Sequence, residues 1–273
     1  PEEVQIHRNL LYRKQPILEI KQLTKEYSTN NFFGKGTVIP ALDTISLDLF
    51  KGESLGVVGE SGCGKSTLSK CIVQLEKQTV GDLLFSGVSI QELLRQDSLR
   101  YRKSIQMIFQ DPASALNPKM KIGATLMEVM KVHGIGESSI ERQQKAEQLL
   151  CKVGLLAEHF NRYPHEFSGG QKQRIGIARA LALEPKIIIC DESVSALDVS
   201  VQAQVLNLLN ELKDSFGLTY IFISHDLSVV KHFCDRIIVL NNGKIEEEGF
   251  PEELFENPQS DYTRKLIEAI PGN

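Results

Sequence analysis

The chain has 273 residues, 41% of them apolar and 24% charged, with a net charge of −4 and a pI near 5.9. This composition suits one large or two modest globular domains and excludes a disordered chain. It also excludes the overall positive footprint of a dedicated nucleic-acid binder, although a local basic patch stays open. No run nears the roughly 18 apolar residues of a membrane-spanning helix and the N-terminus lacks a secretory layout, so the chain is expected to be cytosolic.

The chain starts at Pro1 rather than Met, as expected of a processed form or a piece of something longer. Residues Ile17–Leu23 (ILEIKQL) and Ile45–Phe50 (ISLDLF) alternate apolar and polar side chains like half-buried strands, with the turn-rich STNNFFGKG (28–36) between them. SLGVVGE (54–60) is a short apolar strand running into glycines, and Lys65–Gln74 has helical spacing. From Asp111 to about His165 the pattern turns helical, in IGATLMEVMKVHG and SIERQQKAEQLLCKVGL, which predicts a helical insertion. The α/β rhythm then resumes. KIIIC (186–190) reads as a buried strand, VSVQAQVLNLLNELKDSFG (199–217) as a helix closed by Gly217, and TYIFIS (219–224) as a strand. DLSVVKHFC (226–234) follows as a helix, and RIIVLNNGKIEEEG (236–249) as a hairpin turning at Asn242-Gly243. Alternating strands and helices predict an α/β fold with a mainly parallel sheet covered on both faces. Cys63, Cys71, Cys151, Cys190 and Cys234 form no CxxC pair, suit a reducing compartment and are expected to be small core residues.

Between the strand at 54–60 and the helix at 65–74 lies GESGCGKST, a P-loop pattern. Gly59, Ser61, Gly62, Cys63, Gly64, Lys65, Ser66 and Thr67 supply it. The glycines let backbone N–H groups face phosphates, Lys65 reaches the terminal phosphates, and the Ser66 hydroxyl can hold Mg²⁺. KIIICDE ends an apolar strand in two carboxylates: Asp191 fits the Mg²⁺-ordering role, and Glu192 fits the group that polarises the attacking water. His225, in SHD after another apolar strand, is placed to contact the γ-phosphate. His7, His133, His159, His165 and His232 read as ordinary polar residues. Gln110, in IFQDP, ends an apolar run and can sense both metal and water, and Tyr27, ahead of the P-loop, offers a ring to stack on adenine.

A second anion-binding pattern is harder to place. Ser168, Gly169, Gly170 and Gln171 (SGGQ) head a basic helix whose positive end suits phosphate. The P-loop, the acidic pair and His225 already surround one nucleotide, and a helical insertion separates SGGQ from them. SGGQ is therefore expected to close over ATP held by another copy, in a head-to-tail dimer.

The order of P-loop, Gln110, SGGQ, CDE, SALD and His225 resembles the ATP-binding cassette (ABC) ATPases, from about Ile17 to Gly249. The resemblance implies a P-loop NTPase (RecA-like) core, an antiparallel β subdomain and a helical subdomain at about 111–175. The ATPase domain would span 17–250, with a lead-in at 1–16 and a C-terminal extension at 251–273. It also implies that Ser195–Asp198 (SALD) senses the partner across the dimer, and Asp198 can cap a helix at the same time. VGESGCGKSTL, FQDPASALNP, YPHEFSGGQKQRIGIARALALEPK, SALDVSVQAQVLNLLNELK and the tail ENPQSDYTRKLIEAIP are similar to the ATPase subunits of oligopeptide, dipeptide and nickel importers. Implied with them are ATP and Mg²⁺, a second ATPase subunit (identical or paralogous), two membrane permease subunits and an extracytoplasmic solute-binding protein. The implied location is the cytoplasmic side of the cell membrane, with no nucleic-acid partner; ASALNPKMKIG (113–123) is the expected docking surface for the membrane subunit. Peptide and nickel cargo stay open. A soluble cassette acting on nucleic acid or the ribosome is disfavoured because the insertion is short and the chain acidic, and a non-hydrolysing cassette because the catalytic set is complete. Two departures stand out. Ser193 replaces the family's common Pro after the catalytic Glu, which should loosen that turn slightly. With no cysteine after Cys234, no iron–sulfur cluster is expected.

Overall fold

The computed structural model describes residues 11–29, 37–111, 114–195 and 197–270. Most of the loop expected at 28–36, the first ten residues of the lead-in, Pro112, Ala113 at the start of the expected docking surface, Ala196 of SALD and residues 271–273 lie outside the described residues. In chain order the elements are β1 (Pro16–Thr29), β2 (Thr37–Phe50), β3 (Ser54–Val58), α1 (Lys65–Ile72), β4 (Val80–Phe85), β5 (Val88–Ser89), α2 (Ile90–Ser104) and β6 (Ile105–Ile108). There follow α3 (Ile122–Val132), α4 (Ser139–Lys152), 3₁₀ turns at Ala157–Asn161 and Pro164–Glu166, α5 (Gly169–Leu181), β7 (Ile187–Asp191) and α6 (Val199–Phe216). The chain closes with β8 (Thr219–Ile223), α7 (Leu227–Phe233), β9 (Arg236–Asn241), β10 (Lys244–Gly249), α8 (Pro251–Glu256) and α9 (Asp261–Glu268). They fall into two compact units, one running to Gln96 and resuming at Thr219, the other spanning Asp97–Leu218.

The first unit holds an antiparallel sheet ordered β2-β1-β4-β5. Buried Leu18 and Ile20 alternate along β1 with Glu19 and Lys21, which pair with each other at 2.9 Å. It also holds strands ordered β10-β9-β3-β8, of which β9, β3 and β8 run parallel. β3 and β8 are buried along their whole length, so their continuous apolar runs fit a sheet covered on both faces. A Cβ at Gly56 would stand 2.4 Å from Val230, so only glycine lets α7 pack this closely on β3. Asn242 and Gly243 both take positive φ (47° and 78°), the type I′ geometry that a two-residue hairpin prefers.

A buried ion pair pins the strand starts of this unit. The Arg236 Nε donates to Glu53 Oε1 at 2.8 Å and its Nη2 to Glu53 Oε2 at 3.3 Å; Glu248 and the Asp48 carbonyl accept from the same guanidinium. Glu53 is fully buried and also accepts from the Tyr12 hydroxyl and the Phe50 N–H. Burial pushes its carboxyl upward against the pull of Arg236, while Glu53 and Glu248 hold Arg236 protonated.

In the second unit β6 and β7 pair in parallel, from Ile105–Ile187 to Ile108–Cys190. α2 breaks at Asp97 (φ −155°, ψ 86°), whose carboxylate accepts the Arg100 N–H and restarts the helix as a cap would. A Cβ at Gly123 would sit 2.3 Å from the Phe160 ring, so glycine lets the 3₁₀ turn lie against α3. Arg174 ties α5 to the Val153 carbonyl at 2.8 Å and to Gln204 of α6 at 3.3 Å. Gly217 ends α6 in the left-handed region at φ 63°.

Three details differ from the sequence reading. α1 stops at Ile72, short of the expected Gln74, because Gln74 adopts φ 58° and leaves the helical region. β4, β5 and α2 carry little signature: the β4–β5 turn is Ser86-Gly87 rather than Asn-Gly, and β5 has two residues. Cys151, expected in the core, is exposed, while the other four cysteines are buried. Burial pushes the thiols of Cys71 and Cys190 up to about 11 and about 12. The Glu53→Ala variant should lose about 1.5–3 kcal/mol of stability, the usual worth of hydrogen bonds to a charged group, because Glu248 and the Asp48 carbonyl still hold Arg236; equilibrium denaturant unfolding reads it as a lowered midpoint.

Candidate functional site

The first unit carries the P-loop. β3 ends at Val58, and the loop that follows depends on three glycines with positive φ. Gly59 (148°) and Gly64 (112°) are also sterically required: a Cβ would fall 2.2 Å from the Leu240 carbonyl oxygen and 2.6 Å from the Ala41 carbonyl oxygen, respectively. Gly62 (83°) stands in open space, so its need is conformational alone. Gly64 precedes α1, which has no side-chain cap and no acidic residue in its first turn, so its positive end is left for an anion.

Lys65 is 4% exposed, and its ammonium donates to the carbonyls of Gly59 (2.7 Å) and Glu60 (2.9 Å), held above the loop that would cradle phosphates. Ser61, Gly62 and Ser66 are exposed, Thr67 is half-buried, and the Cys63 side chain is buried. From behind, the Gly243 N–H donates to the Cys63 carbonyl at 2.9 Å, and the Gly243 carbonyl accepts the Asp43 N–H at 2.8 Å. The sequence reading assigned Gly243 to a hairpin turn and gave no sign of this second task, because the contact joins segments 180 residues apart.

The β3–β8 register, Val57 opposite Ile223, sets Gly59 and His225 at the same level past the two strand ends. His225 is exposed, and Asp226 caps α7 by accepting the N–H groups of Ser228 and Val229. Tyr27, on β1 opposite Ile39, is 39% exposed. Its hydroxyl donates to Glu76 and is also engaged by Thr67 of α1, and Lys25 sits 5.0 Å from its ring centroid. Partial burial and the Glu76 carboxylate raise the phenol's pKa. Its ring therefore borders the start of α1, the neighbourhood the sequence reading assumed.

The second unit gathers the remaining residues. Gln110 and Glu192 each lie two positions past the last paired residues of β6 and β7, and the Gln110 Nε2 donates to Glu192 Oε2 at 3.2 Å. Glu192 holds φ 48°, a strained position for a non-glycine residue. Its carbonyl accepts both the Ser195 N–H (3.1 Å) and the Ser195 hydroxyl (2.8 Å), which fix the turn that follows. Asp191, half-buried, is the last residue of β7.

At the start of α5, Ser168 Oγ accepts the Gln171 N–H at 3.3 Å and Gln171 Oε1 accepts the Ser168 N–H at 3.0 Å, a reciprocal capping box. Gln171's side chain is thereby committed to the cap. A Cβ on Gly169 would meet nothing within 4 Å, but one on Gly170 would lie 2.5 Å from Val201 of α6. That first turn of α6 is capped by Asp198, which accepts the Val201 N–H at 3.0 Å; this bond holds its carboxyl below the ordinary aspartate range. The starts of α5 and α6 thus pack together, joining SGGQ to the end of SALD.

The protein-family model described as ABC transporter matches residues 42–195, more than half of the chain. The oligopeptide transport ATP-binding protein OppF of Bacillus subtilis is 50% identical over 258 residues, covering 94% of this chain and 83% of that protein. OppF of Haemophilus influenzae is 48% identical over 262 residues, with 94% and 79% covered. Among solved structures, the dimeric ATP-binding cassette MJ0796 bound to ADP and Pi aligns with a TM-score of 0.76 at 30% identity, over 86% of this chain and 98% of that one. CbiO1 from Clostridium perfringens, part of an ABC transporter complex, aligns with a TM-score of 0.75 at 28% identity, over 94% and 97%. A glycine-bent loop led by Gly59, Gly64 and Lys65, a Gln110–Glu192 pair at two strand ends and this span of similarity agree: the chain belongs to the ATP-binding cassette family of ABC transporter ATPases.

Proposed function

We propose that this chain is the ATP-hydrolysing subunit of an importer that brings peptides across the cell membrane. The observation that carries the hydrolytic part is the Gln110–Glu192 hydrogen bond, which gives the carboxylate at the end of β7 a fixed orientation. The peptide cargo is supported by the relatives, named as oligopeptide transport and peptide import ATP-binding proteins at 48–50% identity.

In this reading the N–H groups from Ser61 to Thr67 and the start of α1 hold the ATP phosphates, and the Lys65 ammonium exchanges the Gly59 and Glu60 carbonyls for phosphate oxygens. Tyr27 stacks on adenine. Glu192 accepts a proton from the attacking water as its oxygen bonds to the γ-phosphorus; the bond to the β–γ bridging oxygen breaks, and ADP and phosphate leave. Gln110 keeps the Glu192 carboxylate from rotating away, and His225 contacts the γ-phosphate. The Ser66 hydroxyl, the Asp191 carboxylate and the Gln110 amide are hard oxygen donors suited to Mg²⁺. Bound there, it supplies neutralisation of charge on the phosphates.

Ser168–Gln171 of one copy closes over ATP held by another, so nucleotide joins two ATPase subunits, and their closing and opening drives two permease subunits. The segment 113–123 is the proposed contact with the membrane subunit, on the cytoplasmic face. Among the described residues no helix is long and apolar enough to cross a membrane, which leaves the passage itself to those partners.

Two variants test this. Glu192→Gln should bind ATP and dimerise yet release phosphate about 10²–10⁴-fold more slowly, the range for loss of a general base; normal turnover in a phosphate-release assay would remove Glu192 from its role. Lys65→Ala should weaken ATP binding by about ten- to a hundred-fold, the worth of a charged hydrogen bond or two, as read by fluorescence titration with a mant-labelled nucleotide.

A further inference from the structure

The C-terminal tail ENPQSDYTRKLIEAIP has no part in the chemistry above, yet it reaches the P-loop. Ser260 caps α9 by accepting the Tyr262 N–H at 3.1 Å, and its own hydroxyl donates to Glu246 at 2.6 Å. Glu247 accepts the N–H groups of Gln259 (2.8 Å) and Ser260 (3.0 Å). Two neighbouring carboxylates of β10 therefore fix the start of α9, and with it Tyr262. The half-buried Tyr262 hydroxyl accepts the N–H of Glu60 at 3.1 Å, across 202 residues of sequence.

The N–H that Tyr262 accepts belongs to the Gly59–Glu60 peptide, whose other end, the Gly59 carbonyl, holds the Lys65 ammonium at 2.7 Å; the next carbonyl, that of Glu60, holds it at 2.9 Å. Three residues on, the Cys63 carbonyl is held by Gly243, the turn residue that leads into β10. The stretch Glu60–Cys63 is thus tied at both ends to the β9–β10 hairpin and the helix anchored on it.

We infer that Tyr262 is a positioning residue for nucleotide binding, its hydroxyl fixing the Gly59–Glu60 peptide and, through the Gly59 carbonyl, the seat of Lys65. This rests on the reading of the loop as the ATP phosphate site. Glu60 is solvent-exposed, so water can replace the lost bond and folding stability gains little from it. The gain lies in preorganisation: an amide that rotates freely must be ordered again each time a phosphate binds. Because the ground state and transition state both use the loop, its loss weakens binding of both alike.

The test is Tyr262→Phe in the full chain, which keeps the ring and removes the acceptor, measured beside the wild type and Lys65→Ala. Mant-ATP affinity should fall about five-fold, the factor that one net hydrogen bond represents, and KM for ATP should rise alike. The kcat should stay within about two-fold, and Tm should hold, since the packing ring is retained. An unchanged Kd and KM, or a weakened Kd matched by a fall in Tm, overturns the inference, the latter by reducing Tyr262 to a packing residue. If wild type and Lys65→Ala differ as expected while Tyr262→Phe is silent, only the positioning role falls. If the wild type itself binds no nucleotide, the phosphate-site reading falls and takes this inference with it.

Discussion

A loop that must aim its backbone N–H groups outward at a ligand cannot use them to close its own structure, so it has to be held from behind. In this chain most of the holding is done by backbone, with the Tyr262 hydroxyl adding one side-chain tie. The Leu240 carbonyl lies where a Cβ of residue 59 would go, the Ala41 carbonyl where one of residue 64 would go, and the Gly243 N–H grips the Cys63 carbonyl. Glycine at 59 and 64 therefore answers two demands at once, a positive φ and the close approach of a neighbouring strand. Substituting either would meet carbonyl oxygen, which cannot swing aside as a side chain can. The rest of the unit follows from this grip: β9 must lie beside β3, and the hairpin after β9 must turn tightly at Asn242-Gly243, which type I′ geometry achieves. The Glu53–Arg236 pair and the Asp235 carboxylate on the Ser54 N–H, at 2.8 Å, fix β9 against β3 at their starts, so the register at the loop end is set from the far end of the strands.

The second unit solves a different problem with the same economy. The carboxylate proposed to polarise water must not be free to turn. Glu192 sits half-buried with its backbone at φ 48°, fastened through its carbonyl by two bonds from Ser195 and through its carboxylate by Gln110. Positive φ at a non-glycine residue costs free energy, and the surrounding bonds offset it. Ser193, where the family commonly has proline, lies inside the turn that the two Ser195 bonds close.

Local chemistry was legible in the sequence and distant pairing was not. Strands such as TYIFIS and KIIIC announce themselves because burial on both faces demands an unbroken apolar run, and Gly217 marks its helix end because few residues adopt φ 63° without strain. Asn242-Gly243 was readable as a turn for the same reason, but its bond to Cys63 was not, since nothing in a local pattern reports a contact across 180 residues. The Gln110–Glu192 bond, 82 residues apart, and the Tyr262–Glu60 bond are of that kind. The β4–β5 hairpin was missed for a converse reason: its turn residues, Ser86-Gly87, do not advertise the positive φ at Ser86, and a two-residue strand has no period to detect. Cys151 failed as a core residue because α4 is only narrowly buried, along Ala146 and Leu150, and Cys151 falls off that stripe.

Why one chain should carry two glycine-bearing helix starts becomes clearer from how differently they are built. Before α1 the chain offers a run of loop amides, a lysine and no side-chain cap hydrogen bond, the parts of the proposed cradle for phosphates. At α5 the Ser168–Gln171 capping box spends two N–H groups internally, Gly170 is consumed in packing against Val201, and Gly169 alone opens onto unobstructed space. Such an end can add a few donors and a partial positive charge to an anion held elsewhere, but it has no lysine and no enclosing loop with which to hold one by itself. Its packing against the turn capped by Asp198 sets the two motifs side by side, close to the chain that leads back to Glu192. A half-site of that construction makes physical sense as the lid of a neighbour's nucleotide, and this is why the proposed dimer places contact with a second copy and water activation on one connected stretch of chain.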